Sequence, residues 1–179
     1  MSEALRQRAA PDDPPSGKSL TGVPGLDSVM GGGYPTNHMF LVEGDPGTGK
    51  TTLALQFLLE GARRGEKGLY VTLSESAAEL EMVAGSHGWS LGGIEIFELM
   101  PDEEALRPDA QYTVFHPSEV ELTSTTQAIF ETVERVNPVR VVFDSLSEMR
   151  LLAQNPLRYR RQILALKQFF TGRRCTVLL

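Results

Sequence analysis

Two hydrophobic periodicities alternate along this 179-residue chain. Five short apolar runs have strand character: residues 39–42, 68–74, 94–99, 139–143 and 175–179. Four intervening segments carry apolar residues at helical spacing: 51–64, 76–87, 121–136 and 147–170, the last with a break near Asn155 and Pro156. Strands that alternate with helices predict an α/β fold built on a parallel sheet.

The two ends of the chain differ in character. Residues 1–17 are polar and rich in proline and aspartate, which predicts a disordered leader before one folded domain over residues 18–179. Residues 101–119 hold three prolines and predict an irregular segment. The sequence stops on an apolar run, and a buried parallel strand with nothing after it predicts a domain that is incomplete at its C-terminal end.

The segment after the first apolar run carries the clearest chemistry. Residues 44–51 read GDPGTGKT, a complete G-x-x-x-x-G-K-[ST] phosphate loop placed between a predicted strand and a predicted helix. Its glycines let backbone N–H groups face phosphates, Lys50 can reach the β and γ oxygens, and Thr51 can join a Mg²⁺ shell. The predicted nucleotide-binding residues are Gly44, Asp45, Pro46, Gly47, Thr48, Gly49, Lys50, Thr51 and Thr52.

A glycine turn without chemical consequence is the alternative to the phosphate loop itself. Residues 16–19 (SGKS) look similar, but they lack the first glycine and follow a proline-rich stretch rather than a strand, which predicts a linker.

Two carboxylates end predicted strands that would meet at one edge of the sheet. Asp144 follows the apolar residues 139–143, as a Walker-B acid holding Mg²⁺ must, with Ser145 beside it. Strands also end in aspartate for turn reasons. Glu75 follows the second strand, where it could orient or deprotonate the attacking water. The alternative for Glu75 is an acid favoured by the dipole of the next helix, which residues 76–79 (SAAE) open as a capping box.

Together these motifs resemble KaiC-like ATPases of the RecA superfamily. The matching segments are residues 21–27 (TGVPGLD), the glycines at 31–33, 44–52, 70–76 (YVTLSES) and 143–147 (FDSLS). The resemblance, which runs from about residue 20 to 179, implies a RecA-like P-loop NTPase with helices on both faces of a mostly parallel sheet. It implies ATP and Mg²⁺ as cofactors, Lys50 and Glu75 as catalytic residues, and Thr51 and Asp144 as metal ligands.

The resemblance also implies partners. The family generally assembles into rings, often hexamers, with nucleotide between subunits, so a homo-oligomer is expected, with regulatory proteins as further partners. Clock members carry two adjacent glutamates where this chain has Ser74 and Glu75. If both acids are needed, hydrolysis is expected to be slow or absent. From the resemblance, the leading hypothesis is a regulatory or signalling ATPase. A DNA-dependent recombination ATPase of the RecA or RadA type and an ATP-dependent assembly switch that does not hydrolyse ATP are the alternatives.

Composition narrows these hypotheses. Lysine and arginine total 17 against 23 acidic residues, for a net charge of −6, so the broad basic surface of a nucleic-acid binder is missing. No apolar run reaches the ~20 residues that cross a bilayer, and a cytoplasmic, membrane-free protein is expected. The single cysteine, Cys175, excludes an internal disulfide. Three widely spaced histidines predict no metal site beyond the nucleotide's Mg²⁺: His38, His87 and His116.

Overall fold

The computed structural model describes residues 17–99 and 117–179. Its strands are β1 (Lys18–Ser19), β2 (Tyr34–Pro35), β3 (Met39–Phe40), β4 (Gly68–Thr72), β5 (Ile94–Glu98), β6 (Arg140–Asp144) and β7 (Thr176–Leu178). Its helices are α1 (Pro24–Val29), α2 (Lys50–Arg63), α3 (Ala77–Ser86), α4 (Pro117–Val136), α5 (Leu146–Ala153) and α6 (Pro156–Phe170). The predicted alternation of strands and helices is confirmed, including the break before Pro156.

Five strands form one parallel sheet in the order β3-β7-β6-β4-β5. The strands β4 and β6 are neighbours, and their register pairs Tyr70 with Val142 and Thr72 with Asp144. The carboxyl ends of β3, β4 and β6 therefore meet at one edge of the sheet. Parallel α/β sheets bind their ligands at this edge.

Two apolar cores cover the two faces of the sheet, as expected for a parallel sheet buried on both sides. Helices α2 and α3 pack on one face, where Leu55, Phe57 and Leu58 are fully buried against Tyr70 and Val142. Helices α4, α5 and α6 pack on the other face, and their buried contacts with the sheet include Ile129, Met149, Leu166 and Phe170. The sheet thus holds α2 and α5, which flank the candidate site, on opposite faces.

The prediction of a linker at residues 16–19 is wrong for Lys18 and Ser19. These two residues form β1, which pairs antiparallel with β2. The Lys18 ammonium donates to the carbonyls of Met30 (3.0 Å) and Gly33 (3.2 Å). At Gly33, where φ is 96°, a Cβ would lie 2.2 Å from the Ser19 carbonyl oxygen, so this ribbon needs glycine there. Two-residue strands leave no periodicity for a sequence pattern to detect.

Helix α4 begins earlier than the sequence predicts. It starts at Pro117 rather than at Glu121, so the prediction of an irregular segment is wrong for residues 117–119. Proline is favoured in the first helical turn, where its missing N–H has no partner to lose. The remainder of that segment, residues 101–116, lies outside the described residues, and so do residues 1–16 of the expected leader.

A buried arginine ties the amino-terminal segment to the sheet. The Arg140 side chain is fully buried and donates to the Glu66 carboxylate and to the carbonyls of Leu20 (2.6 Å) and Phe57 (2.7 Å). Its guanidinium also lies 4.7 Å from the centre of the Phe57 ring. At Gly61 a Cβ would come within 2.5 Å of Arg140, so glycine leaves room for the arginine. Burial lowers the pKa of Arg140 and the nearby Glu66 carboxylate opposes that change.

Replacing Arg140 by alanine is expected to lower the free energy of unfolding by about 3 kcal/mol or more, because it leaves a void and removes the partner of Glu66. Urea unfolding measures the loss. Arg135→Ala is the matched control, since Arg135 pairs with Glu95 at 3.1 Å but is 62% exposed, and it should cost less than about 1 kcal/mol. Equal losses in the two variants would contradict this role of Arg140.

Candidate functional site

The loop between β3 and α2 leaves its backbone open on one side. Gly47 (φ 80°) and Gly49 (φ 88°) both have positive φ, and apart from their immediate chain neighbours no described residue comes within 4 Å of where their Cβ atoms would be. Within the described chain, no carbonyl accepts from their N–H groups. The loop is closed internally instead by Thr48, whose hydroxyl donates to the Asp45 carbonyl at 2.8 Å. These open amides are the donors that a phosphate-binding loop requires.

Helix α2 starts at the end of this loop. Its first residue is Lys50, its N-cap is Gly49, and no side chain caps its first turn. The first amides of a helix have no partner within the helix, and the helix dipole favours an anion there. The Lys50 ammonium lies back over the loop, donating to the carbonyls of Gly44 (2.8 Å) and Asp45 (2.9 Å). The loop and the first turn of α2, which hold the predicted residues 44–52, therefore form one surface with Lys50 across it.

The end of β6 brings Asp144 to the first turn of α2. Its Oδ2 accepts a hydrogen bond from the Thr51 hydroxyl at 3.0 Å and a second from the Tyr70 hydroxyl at 2.6 Å. Burial raises the pKa of Tyr70, and the negative charge of Asp144 raises it further, so the phenol keeps its proton as a donor. The structure thus joins two residues that the sequence assigns to magnesium, Thr51 and Asp144, and adds Tyr70.

Glu75 sits in the turn between β4 and α3. The Thr72 hydroxyl holds this turn, because it accepts from the Glu75 N–H (3.0 Å) and donates to the Glu75 carbonyl (2.7 Å). Among the described residues, none bonds to the buried Oε2 of Glu75. Burial raises the pKa of Glu75, and the charges of Asp144 and then Glu79 raise it further. A buried carboxylate oxygen without a partner at the edge of a sheet points to a missing ligand or water.

The first turn of α3 is capped by other acids. The predicted capping box is present, with Glu79 accepting from the Ser76 N–H at 2.8 Å and Ser76 accepting from the Glu79 N–H. The next amide, that of Ala77, donates to the Glu98 carboxylate at 2.8 Å. Glu75 accepts none of these hydrogen bonds. Its placement is therefore not explained by capping of α3.

A cavity of about 240 Å³ opens between the phosphate loop and the start of α5. Its lining includes Gly44, Lys50, Asp144, Ser145 and Arg150. The peptide bond between Asp144 and Ser145 is cis. Cations and a carboxylate around one opening can bind a polyanion together with a divalent metal ion.

Sequence reasoning missed Tyr70 and Thr72 as parts of this site. Both lie in β4, on the side of the sheet that carries Val142 and Asp144 in the neighbouring strand. Two polar side chains in an otherwise apolar strand are a usable signal. To place these side chains in the site, one must know that β4 pairs with β6. The two strands are separated by about 70 residues in the sequence.

The remaining chemical candidates have structural explanations. Cys175 is buried, and burial raises the pKa of its thiol to about 12, so it is not a reactive thiolate. His87 stacks on Trp89, and the ring of His38 contacts the Thr36 carbonyl, while His116 lies outside the described residues. Within residues 17–99 and 117–179, no three metal-ligating side chains form a cluster.

Arginines near the carboxyl ends of α2 and α6 form ion pairs with glutamates. Arg63 and Arg64 both pair with Glu60 on α2. Arg173 pairs with Glu134 at 2.8 Å and stacks on Phe169. In the described part of the chain, no helix has the length and apolar character to cross a membrane.

Comparisons with known proteins agree with this geometry. The family model described as "ATPase: KaiC" matches residues 19–179. A UPF0273 protein of Pyrococcus horikoshii is 30% identical over 161 residues, 87% of this chain. The circadian clock oscillator protein KaiC of Picosynechococcus sp. is 34% identical over 137 residues, which are 73% of this chain and 25% of that protein. The chain spans 64% of the length of the UPF0273 relative.

A solved structure supports the same assignment. The crystal structure of a KaiC-like protein from Pyrococcus horikoshii matches with a TM-score of 0.72 and 30% identity, covering 90% of this chain and 70% of that one. The predicted RecA-like α/β fold is confirmed by this match and by the parallel sheet. With its family model matched over residues 19–179 and its phosphate loop at the edge of that sheet, the chain belongs to the KaiC family of ATPases.

Proposed function

We propose that this protein binds ATP together with Mg²⁺, hydrolyses it, and works as a regulatory or signalling ATPase in a ring of identical subunits. One observation carries the proposal. The open amides of the phosphate loop, the Thr51–Asp144 pair and the unpartnered Oε2 of Glu75 all lie at one edge of the sheet. Such an edge brings together hydrogen-bond donors for phosphates, ligands for a metal ion and a general base.

The residues at this edge fit a magnesium ion. Thr51 offers a hydroxyl and Asp144 a carboxylate, the hard oxygen donors that Mg²⁺ prefers when it is shared with phosphates. We propose that these two side chains hold it, directly or through water. A magnesium ion held there would supply positive charge that offsets the charge of the phosphates.

Glu75 is the proposed general base. Its carboxylate would take a proton from water as the water oxygen bonds to the γ phosphorus, while the bond from that phosphorus to the bridging oxygen breaks and ADP leaves. The products are ADP and inorganic phosphate. A glutamate whose pKa is raised by burial and by Asp144 is a stronger base than an exposed one. Lys50 would stabilise negative charge on the phosphates.

Phosphate release tests the hydrolytic part of this proposal. The purified protein, given ATP, should release phosphate only when Mg²⁺ is present. Binding of Mg·ATP without release would contradict hydrolysis. That result would favour an assembly switch, which has one observation in its support: Ser74 stands where clock members carry an acid.

Sedimentation tests the assembly. We expect Mg·ATP to shift the intact protein from smaller species to a ring, because the phosphate-loop residues 43–49 are exposed and leave room for a neighbouring subunit to complete the site. Mg·ADP and ATP with EDTA are the controls. A protein that sediments as a monomer under all three conditions would count against the ring.

A further inference from the structure

Tyr70 is the side chain on which this inference rests. It is 1% exposed and packs in the apolar cluster between the sheet and α2, with Leu55, Phe57 and Val142 among its members. Phenylalanine would satisfy that packing equally well. The hydroxyl therefore needs its own explanation, since a buried phenol is stabilised only when it has a hydrogen-bond partner.

The partner of Tyr70 is a carboxylate of the site. Its hydroxyl donates to Oδ2 of Asp144 at 2.6 Å, and the Thr51 hydroxyl donates to the same oxygen at 3.0 Å. No described residue donates to Oδ1 of Asp144. Two donors on one oxygen restrict the orientation of the carboxylate, and Asp144 lines the cavity beside the phosphate loop.

The two donors differ in what else they can do. Thr51 lies in the first turn of α2, and in the proposed function its hydroxyl is engaged by the metal. Tyr70 lies in the middle of β4, between two hydrogen-bonded neighbours, and its ring is held on all sides. The Tyr70 hydroxyl therefore still donates to Asp144 when the Thr51 hydroxyl bonds to the metal instead. A side chain that hydrogen-bonds to a metal ligand and orients it influences how tightly the site binds the metal.

We propose that Tyr70 is a positioning residue that orients Asp144 for magnesium, so that this chain binds the metal with its nucleotide at low Mg²⁺ concentration. The inference deepens the proposed function and depends on it. It assigns Tyr70 no contact with the nucleotide.

The test compares two tyrosine variants. Tyr70→Phe removes the donor to Asp144, and Tyr34→Phe is the matched control, because Tyr34 is buried in the same cluster and contacts Phe40 and Phe57. Binding of a non-hydrolysable ATP analogue is measured by calorimetry over a Mg²⁺ titration. Tyr70→Phe is expected to need about tenfold more Mg²⁺ or higher for half-maximal affinity, and Tyr34→Phe should match the wild type.

Affinity for the analogue in EDTA should be the same in all three proteins. An unchanged Mg²⁺ requirement in folded Tyr70→Phe protein would overturn the inference, whatever the variant does to stability. Should the phenylalanine variant not fold, Tyr70→Met fills the space flexibly and also lacks the donor, so the same comparison applies. Wild-type binding that is indifferent to Mg²⁺ would instead reject the magnesium part of the proposed function.

Discussion

Replacing Lys50 by alanine is expected to abolish nucleotide binding and to leave the fold intact. Among the described residues, the Lys50 ammonium bonds to two loop carbonyls, those of Gly44 and Asp45, and Lys50 belongs to neither apolar core. In the proposed function Lys50 is the cation that would bond to the phosphates at the start of α2, and hydrogen bonds between charged groups are among the strongest. Calorimetric titration with Mg·ATP measures the affinity, and circular dichroism checks the fold.

Lys67→Ala is the control for the change in charge. Lys67 is exposed and precedes β4, so it lies at the edge of the sheet opposite the phosphate loop. The Lys67→Ala substitution removes one positive charge, as Lys50→Ala does, but the affinity for Mg·ATP should stay at the wild-type value. Unchanged affinity in folded Lys50→Ala protein would remove the basis for nucleotide binding at this loop.

The parts of the molecule that follow from the sequence are those that are local in the chain. The phosphate loop is one contiguous segment, so its residue types and its place between strand and helix could be read together. The capping box of α3 is equally local, since Ser76 and Glu79 are three residues apart. Strand β6 was recognisable because it is apolar and ends in a carboxylate.

The parts that were missed depend on contacts between distant segments. Tyr70 and Asp144 are 74 residues apart, and their hydrogen bond exists only because β4 and β6 are neighbours in register. The ribbon of β1 and β2 depends in the same way on the approach of Ser19 to Gly33. Arg140 lies in an otherwise apolar strand, and its charge is matched by Glu66 and by two carbonyls from other segments. Periodicity carries no information about such pairs.

Replacing Glu75 by glutamine is expected to lower ATP turnover by about 10²-fold or more while affinity for Mg·ATP is retained. Glutamine keeps the shape of the side chain and cannot take the proton from water. The turn that places it should persist, because Thr72 holds the backbone of residue 75 rather than its side chain. Single-turnover phosphate release on the assembled protein measures the rate per bound nucleotide.

Stability distinguishes a base from a structural acid at this position. Burial and Asp144 raise the pKa of Glu75 in the folded protein, so its ionisation opposes folding, and stability is lost as the pH rises through that pKa. Glutamine does not ionise, so the Glu75→Gln substitution removes this unfavourable contribution to the free energy of folding. The variant should therefore be no less stable than the wild type at neutral pH, and any advantage should vanish below the ordinary glutamate pKa of about 4.3. A less stable variant with an unaltered rate would identify Glu75 as a structural residue.

Ser74→Glu asks whether one acid is sufficient. Ser74 is exposed and precedes Glu75, so a glutamate there can be accommodated without repacking the core. If the serine makes hydrolysis slow, restoring the acid pair of the clock members raises turnover; if Glu75 acts alone, the rate stays near the wild-type value. The double variant Ser74→Glu with Glu75→Gln then assigns the base. Activity in that protein would place the proton transfer on residue 74, and its absence would leave Glu75 as the group on which hydrolysis depends.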